Sequence, residues 1–179
     1  MAAPPDIIAG SEKLIEGRKS RELVALLQSD DSYFSQILLT GIMELKHGFD
    51  EAREKLERKA ESLTGQMEKS ISILAVLGTL GPMIGLLGTL KGMISSFSVI
   101  ALSGVALDAA KVAEGISEAL VLTFEGVALS VPAIFLYSLF RNRISTISID
   151  TTMMADDQLR AVSRMLKAKT PPESEGPGA

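Results

Sequence analysis

The sequence predicts an all-α membrane protein, with two long transmembrane helices joined by a reversal and a helical cytoplasmic region on either side of them. Two apolar runs carry most of that expectation. No charged residue lies between Ile71 and Leu90, a stretch long enough to cross the ~30 Å hydrocarbon core of a bilayer. The run from Ala119 to Phe140 holds Glu125 as its only charge. The third observation is a stripe of small residues: Gly78, Gly81, Gly85, Gly88 and Gly92 follow at steps of three and four, so on a helix they share one face. The hydrophobic effect does not hold helices together in lipid, and close packing through small residues takes its place. That face is built to touch another helix backbone.

Composition narrows the function classes. The 179 residues carry a net charge of −4 and no basic stripe, which excludes nucleic acid as a partner. Cysteine is absent, so there is neither a thiolate metal site nor a thiol nucleophile. The only histidine, His47, sits among charged residues and reads as a solvated side chain, since one imidazole without partners makes a poor metal site. No Gly-rich phosphate loop, HExxH pair or nucleophile beside a histidine is present. The chain therefore carries no enzyme signature and implies no cofactor or metal. Its first residues, MAAPPDIIAG, lack the basic stretch and apolar core of a cleaved secretory signal, so insertion is expected to rest on the internal spans.

The elements follow in order. Residues 1–69 are expected to form a cytoplasmic helical region. Within it, Ile7, Ile8, Leu14, Ile15, Leu23, Val24, Leu26 and Leu27 recur at helical intervals, with Gly17 placed to split the stretch. Ser29 to Ser32 make a turn and an N-cap, and one helix is expected from about Tyr33 to Lys69, loosened near Gly48. Its charged half carries i, i+4 pairs at Glu51 with Lys55 and Glu54 with Arg58. Residues 70–144 form the membrane hairpin, with spans at about 71–97 and 113–140. Pro82 and Pro132 lie inside these spans and mark places for helix bends, because each removes a backbone hydrogen bond. The reversal is expected at Ser98 to Leu107 with Gly104, and Asp108 is the candidate N-cap of the second helix. Residues 145–169 read as a cytoplasmic C-terminal helix, and 170–179, rich in Pro, Gly and Glu, as a disordered tail.

Orientation follows from the cations. Arg53, Lys55, Arg58, Lys59 and Lys69 precede the first span and Arg141 and Arg143 follow the second, whereas the connection offers only Lys111. Both soluble ends are expected on the cytoplasmic side.

Ionisable groups at membrane depth cost roughly 2.5 to 3.5 kcal/mol each on insertion scales and so tend to face protein or water. Lys91, Glu118 and Glu125 are the three to weigh. Lys111, Glu118 and Glu125 lie seven apart, with Glu114 one turn before Glu118, so the acidic groups form one ribbon on the second helix. Antiparallel packing sets Lys91 near the depth of Glu118 and within reach of Glu125, and an intramembrane Lys91 and Glu125 pair would offset much of each desolvation cost. Plainer alternatives stand beside these: Lys91 snorkelling to the headgroups, Glu118 as a hydrated acid at a helix start, Glu125 as a protonated carboxyl or a purely structural ion pair. Thr89 and Thr123 can satisfy their hydroxyls on carbonyls of their own helices.

These residues sit in recognisable words. GPMIGLLGTLKGMISSF at 81–97, AEGISEALVLTFEGVALSVPAIFLYSLFRNRI at 113–144, and PPDIIAGSEKLIEGRKSRELVALLQSDDS before them resemble the MotA/TolQ/ExbB proton channel family, in its ExbB/TolQ-like branch. The most specific matches are Gly85, Gly88 and Thr89 in GLLGT, Gly115, Glu118, Ala119 and Leu120 in the GIxEAL word, then Thr123, and Pro132 in VPA. The resemblance implies a subunit of a channel or stator in the bacterial cytoplasmic (inner) membrane. Members form a homo-oligomeric ring, commonly a pentamer, around a small ExbD/TolR-like single-span partner, and proton flow moves that partner and through it a TonB-like or TolA-like energy transducer. The proton-carrying aspartate belongs to the partner. By resemblance Thr89, Glu118 and Thr123 supply the polar lining of the path, with Glu118 its ionisable member and no catalyst among them. Three departures from the family pattern are expected to matter. Members of the branch carry a further membrane helix ahead of the cytoplasmic region, so either the sequence is shortened or the protomer has two spans. Lys91 stands where an apolar or aromatic residue is usual and Glu125 where an apolar one is usual, and Glu114 replaces a proline often seen before the GIxEAL word.

Two readings compete with a conducting subunit. One is a nonconducting membrane scaffold that keeps the fold, its interface locked by Lys91 and Glu125. The other is a soluble helical protein with a buried hairpin.

Overall fold

A computed structural model describes residues 3–102 and 109–167, all of the regular structure being helical. Gly104, Asp108, the body of the expected reversal and the expected tail lie outside the described residues. Five helices follow in order: α1 (Pro5–Glu16), α2 (Ser20–Gln28), α3 (Tyr33–Glu44), α4 (Phe49–Leu102) and α5 (Ala109–Lys167). The chain is all-α, and α4 and α5 each contain a stretch long and apolar enough to cross a membrane.

The first break falls where Gly17 predicts it. Pro5 at the first turn of α1 needs no intrahelical partner for its nitrogen, and the chain leaves α1 through Gly17 and then Arg18, whose φ of 55° is left-handed. The single helix expected from Tyr33 to Lys69 is instead two. Gly48, at φ 132°, takes a backbone conformation that side-chain-bearing residues avoid, and turn bonds from the His47 and Gly48 amides to Glu44 and Leu45 close α3. His47 also meets Glu44 at 2.9 Å on the exposed surface. In the other direction the structure is more continuous than expected. α4 runs unbroken through Pro82 to Leu102, past the expected end of the first span, and α5 runs unbroken through Pro132 from the second span into the C-terminal helix. The RNRISTISID segment between them holds neither Gly nor Pro to stop a helix.

The chain divides into two compact units, Met1–Met67 with Arg143–Ala179, and Glu68–Asn142. In the first, α3 supplies the centre. Phe34, Ile37 and Leu38 are fully buried against Leu23 and Leu27 of α2, Leu56 of α4 and Leu159 and Val162 of α5. A side chain at Gly41 would meet Leu159 and Leu56 at 3.1 and 3.2 Å, so α3 packs on its neighbours through that glycine. Beside the core the Tyr33 hydroxyl lies 2.8 Å from Ser148 Oγ, 3.2 Å from Thr64 Oγ1, 3.3 Å from Thr152 Oγ1 and 3.2 Å from the Ala60 carbonyl. Residues from three helices thus satisfy one another at a partly buried point. Outside it, Arg53 bridges Glu57 and Asp156 at 3.1 and 3.3 Å, and Arg160 reaches Asp156 at 3.0 Å and lies over the Phe49 ring.

The start of α3 is held by a small network. Ser32 caps it by accepting from the Ser35 amide at 3.3 Å. The Asp30 carboxylate accepts from the hydroxyls of Ser32 and Ser35, the latter at 2.6 Å, and from the Ser32 amide. The Ser32 hydroxyl, followed by that of Ser35, holds the Asp30 carboxyl below the usual carboxylate range, against a smaller opposing effect of burial.

Candidate functional site

The second unit is the antiparallel hairpin formed by α4 and α5, and its seam is made of small residues. An added side chain at Gly85 would stand 3.0 Å from the Thr123 backbone and 3.2 Å from the Leu122 carbonyl. At Gly88 it would stand 2.8 Å from Leu122, while at Gly78, Gly81 and Gly92 it would run into Ile134, Ser130 and Ala119. The glycine stripe therefore lies against the second helix of its own chain. The helices approach so closely because α5 answers in kind: a side chain at Gly126 would meet the Gly81 carbonyl at 2.5 Å, and Ala119, Ser130 and Ala133 are buried beside it. Gly115, Ala119, Gly126, Ser130 and Ala133 repeat the small-residue pattern at steps of three, four and seven, a signal present in the sequence.

Hydroxyls bind the seam further. Thr123 Oγ1 donates to the Gly85 carbonyl at 2.8 Å, crossing from α5 to α4. Ser96 Oγ donates across to Val112 at 3.3 Å, while Ser130 Oγ turns back on Gly126 of its own helix. Thr89 Oγ1 likewise donates to Leu86 of its own helix at 2.7 Å. Glu68 and Arg141, 3.9 Å apart and exposed, pair near the ends of the unit.

The register of the seam sorts the polar groups by depth and by flank. Gly92 faces Ala119 and the Gly115 carbonyl, which sets Lys91 level with Glu118. Gly81 and Gly85 face Gly126 and Thr123, which sets Glu125 about two turns away, near Ile84. On one flank a groove of about 460 Å³ has Gly81, Gly85, Gly88 and Gly126 on its floor and Lys91 and Glu125 on opposite sides. Glu118, two turns before Glu125 on α5, falls on the same flank, with Glu114 a turn beyond. Lys91, Glu118 and Glu125 are all exposed. Helical periodicity places Met93 and Phe97 of α4 and Ile116, Leu120 and Val127 of α5 on the opposite flank, all exposed and none charged. Among the described residues every Lys, Arg, Asp and Glu within the spans thus lies to one side of the seam.

The three residues assigned by resemblance to one polar lining occupy different environments in this chain. Glu118 is exposed on the charged flank, Thr123 is half-buried with its hydroxyl committed to the seam, and Thr89 is half-buried, on the side of α4 turned away from the groove. Lys91 and Glu125 share the groove, and neither forms an ion pair or hydrogen bond among the described residues. A single helical wheel shows Glu118, Glu125 and Lys111 on one ribbon; only the pairing of the two helices puts Lys91 on that same side.

Comparison with known proteins bears on this hairpin directly. The profile of the MotA/TolQ/ExbB proton channel family matches residues 29–153, which takes in α3 and both apolar stretches of α4 and α5. The chain is 35% identical over 92 residues to the biopolymer transport protein ExbB of Salmonella typhimurium, covering 51% of this chain and 37% of that one. It is 33% identical over 112 residues to ExbB of Pseudomonas putida, covering 63% and 34%. To the Tol-Pal system protein TolQ of Haemophilus influenzae it is 32% identical over 117 residues, covering 65% and 49%. The chain thus spans between about a third and a half of the length of these curated relatives.

Proposed function

This chain belongs to the MotA/TolQ/ExbB proton channel family, in its ExbB/TolQ-like branch, and from that premise we propose that it is a subunit of a proton-motive-force-driven channel or stator of the cytoplasmic membrane. The observation that carries the reading is the asymmetry of the hairpin. Its seam is closed by backbone-close packing, its ionisable groups are gathered on one flank, and its other flank is apolar. A helix pair of that form can turn its charges to a protein or water interior while its apolar flank meets lipid or neighbouring helices.

In this reading several copies form a ring, a pentamer as in the family resemblance, around the membrane helix of an ExbD/TolR-like single-span partner. Proton movement along the interior changes the state of the partner, which passes the work to a TonB-like or TolA-like transducer in transport or envelope maintenance. Glu118 is the ionisable group of this chain on the path. Thr123 and Thr89 act beside it by holding backbone carbonyls and helix geometry. The clusters of cations before the first span and after the second support cytoplasmic placement of both soluble segments.

Proton flux into liposomes containing the chain and its partner, compared with Glu118→Ala and Thr89→Val, tests the proposal. Loss of flux with an oligomer of unchanged size is expected for both. Undiminished flux from Glu118→Ala takes Glu118 off the path, and undiminished flux from Thr89→Val removes the supporting role of Thr89. A second reading, a nonconducting scaffold, is favoured by one observation, the fixed cation Lys91 level with Glu118, since an added charge beside a proton path raises its barrier. No flux from the wild-type chain with its partner, in intact oligomers, selects that reading.

A further inference from the structure

The groove on the charged flank has a direction built into it. Side chains on a helix lean toward its N-terminus, and α4 and α5 run antiparallel, so leanings on the two helices oppose each other. Lys91, level with Glu118, leans down α4 toward the level of Ile84. Glu125, level with Ile84, leans the other way along α5, toward the level of Lys91. The rule thus directs the two toward each other along the seam, and both line the same cavity. Glu118, by the same rule, leans away from Lys91, toward the level of Ser96. Depth alone would pair Lys91 with Glu118; the lean of the side chains pairs it with Glu125.

We propose that Lys91 and Glu125 of one chain close over this groove as an ion-pair clasp across the hairpin. Its glycines present no side chains and the rest of its lining, Ile84, Leu87, Leu122 and Leu129, is apolar, so the lysine stem is long and apolar enough to lie along it while the ammonium reaches the carboxylate. The clasp covers the seam on that flank and neutralises two of the four charged groups within the spans, Lys91, Glu114, Glu118 and Glu125. Glu118 is left as the deeper of the two uncompensated carboxylates, Glu114 lying a turn nearer the helix start. Lys91 is then a positioning residue: it selects which carboxylate of the ribbon stays free. The inference rests on the reading of the hairpin as membrane-embedded and not on conduction, so it is tested without partner or gradient, and its failure is separable from failure of the channel reading.

Two measurements decide it. In the first, Lys91→Met, Glu125→Leu and the double variant are compared for the fraction of chain recovered as folded oligomer after solubilisation. Removing one partner strands a charge at membrane depth, whereas removing both does not, so each single variant is expected to lose folded protein by about tenfold and the double to recover most of it. Singles that cost nothing, or a double variant whose loss is the sum of the two, overturn the clasp. The second measurement covers singles that fail to fold at all. The chain has no cysteine, so Lys91→Cys with Glu125→Cys gives a background-free pair for bifunctional thiol reagents spanning about two helical turns. A cross-link within one chain is expected, read as an internally linked peptide from a monomer band. A link only between chains, or none while each cysteine reacts singly, overturns it.

Discussion

The Thr123 hydroxyl donates to the Gly85 carbonyl, 2.8 Å away on the facing helix, at a point where any side chain at Gly85 would press into the Thr123 backbone. The bond and the close approach depend on each other. A threonine can reach the carbonyl of another helix only where a glycine lets the backbones come together, and in lipid such a bond has no competing water.

Thr123→Val keeps the shape of the side chain and removes the donor. The hairpin is expected to lose about 0.5 to 1.5 kcal/mol, the range for membrane interhelical bonds, with no change in secondary structure. Unfolding in mixed micelles against denaturing detergent measures it, and a variant as stable as wild type would show that the bond contributes nothing to the seam.

Glycines along α4 should respond in opposite ways to an added side chain. Gly85→Leu must force the helices apart, so folded hairpin and assembled oligomer are expected to be lost, and Gly88→Leu, against Leu122, should follow it. At Gly65, where an added Cβ meets nothing within 4 Å, alanine instead raises helix propensity and should stabilise the helix by about 0.5 to 1 kcal/mol. Detergent-solubilised oligomer size and thermal melting of the three variants provide the comparison; oligomers of normal size from both leucine variants would refute a packing role for the stripe.

In the first unit, Tyr33→Phe removes the hydroxyl shared among Ser148, Thr64, Thr152 and the Ala60 carbonyl while leaving the ring in place. A loss of about 1 to 2 kcal/mol is expected, more than for one exposed hydrogen bond, because partly buried partners lose their satisfaction together. Thermal unfolding followed by circular dichroism, set beside Ser148→Ala, apportions the network.

The Asp30 cap makes an acid-range prediction. Its carboxyl, held below the usual value by the Ser32 and Ser35 hydroxyls, binds protons more weakly in the folded than in the unfolded chain. Its contribution is therefore complete above the unfolded value near 3.8 and is lost as pH falls through the lower folded value. Asp30→Asn should flatten the dependence of stability on pH in that window and leave it unchanged near neutrality. Equal slopes for variant and wild type below pH ~4 would remove Asp30 from the acid response.

Much of the architecture was legible in the sequence because it depends on local facts. An uncharged run of membrane length declares a span, a heptad spacing of Lys111, Glu118 and Glu125 declares a ribbon, and Gly17 declares a break, each from the geometry of one helix about its own axis. Gly48 was legible only as a loosening, since a glycine within a helical pattern can be absorbed or can end it, and the structure shows it at φ 132°, where it ends α3. The same limit held for the site. Periodicity gives a residue its angle on its own helix and says nothing of the angle at which another helix arrives. That α4 and α5 consume the glycine stripe within one chain, that Thr123 spends its hydroxyl on Gly85, and that Lys91 shares a groove with Glu125 while level with Glu118 were decided by the interhelical register, a long-range relation that only the folded hairpin contains.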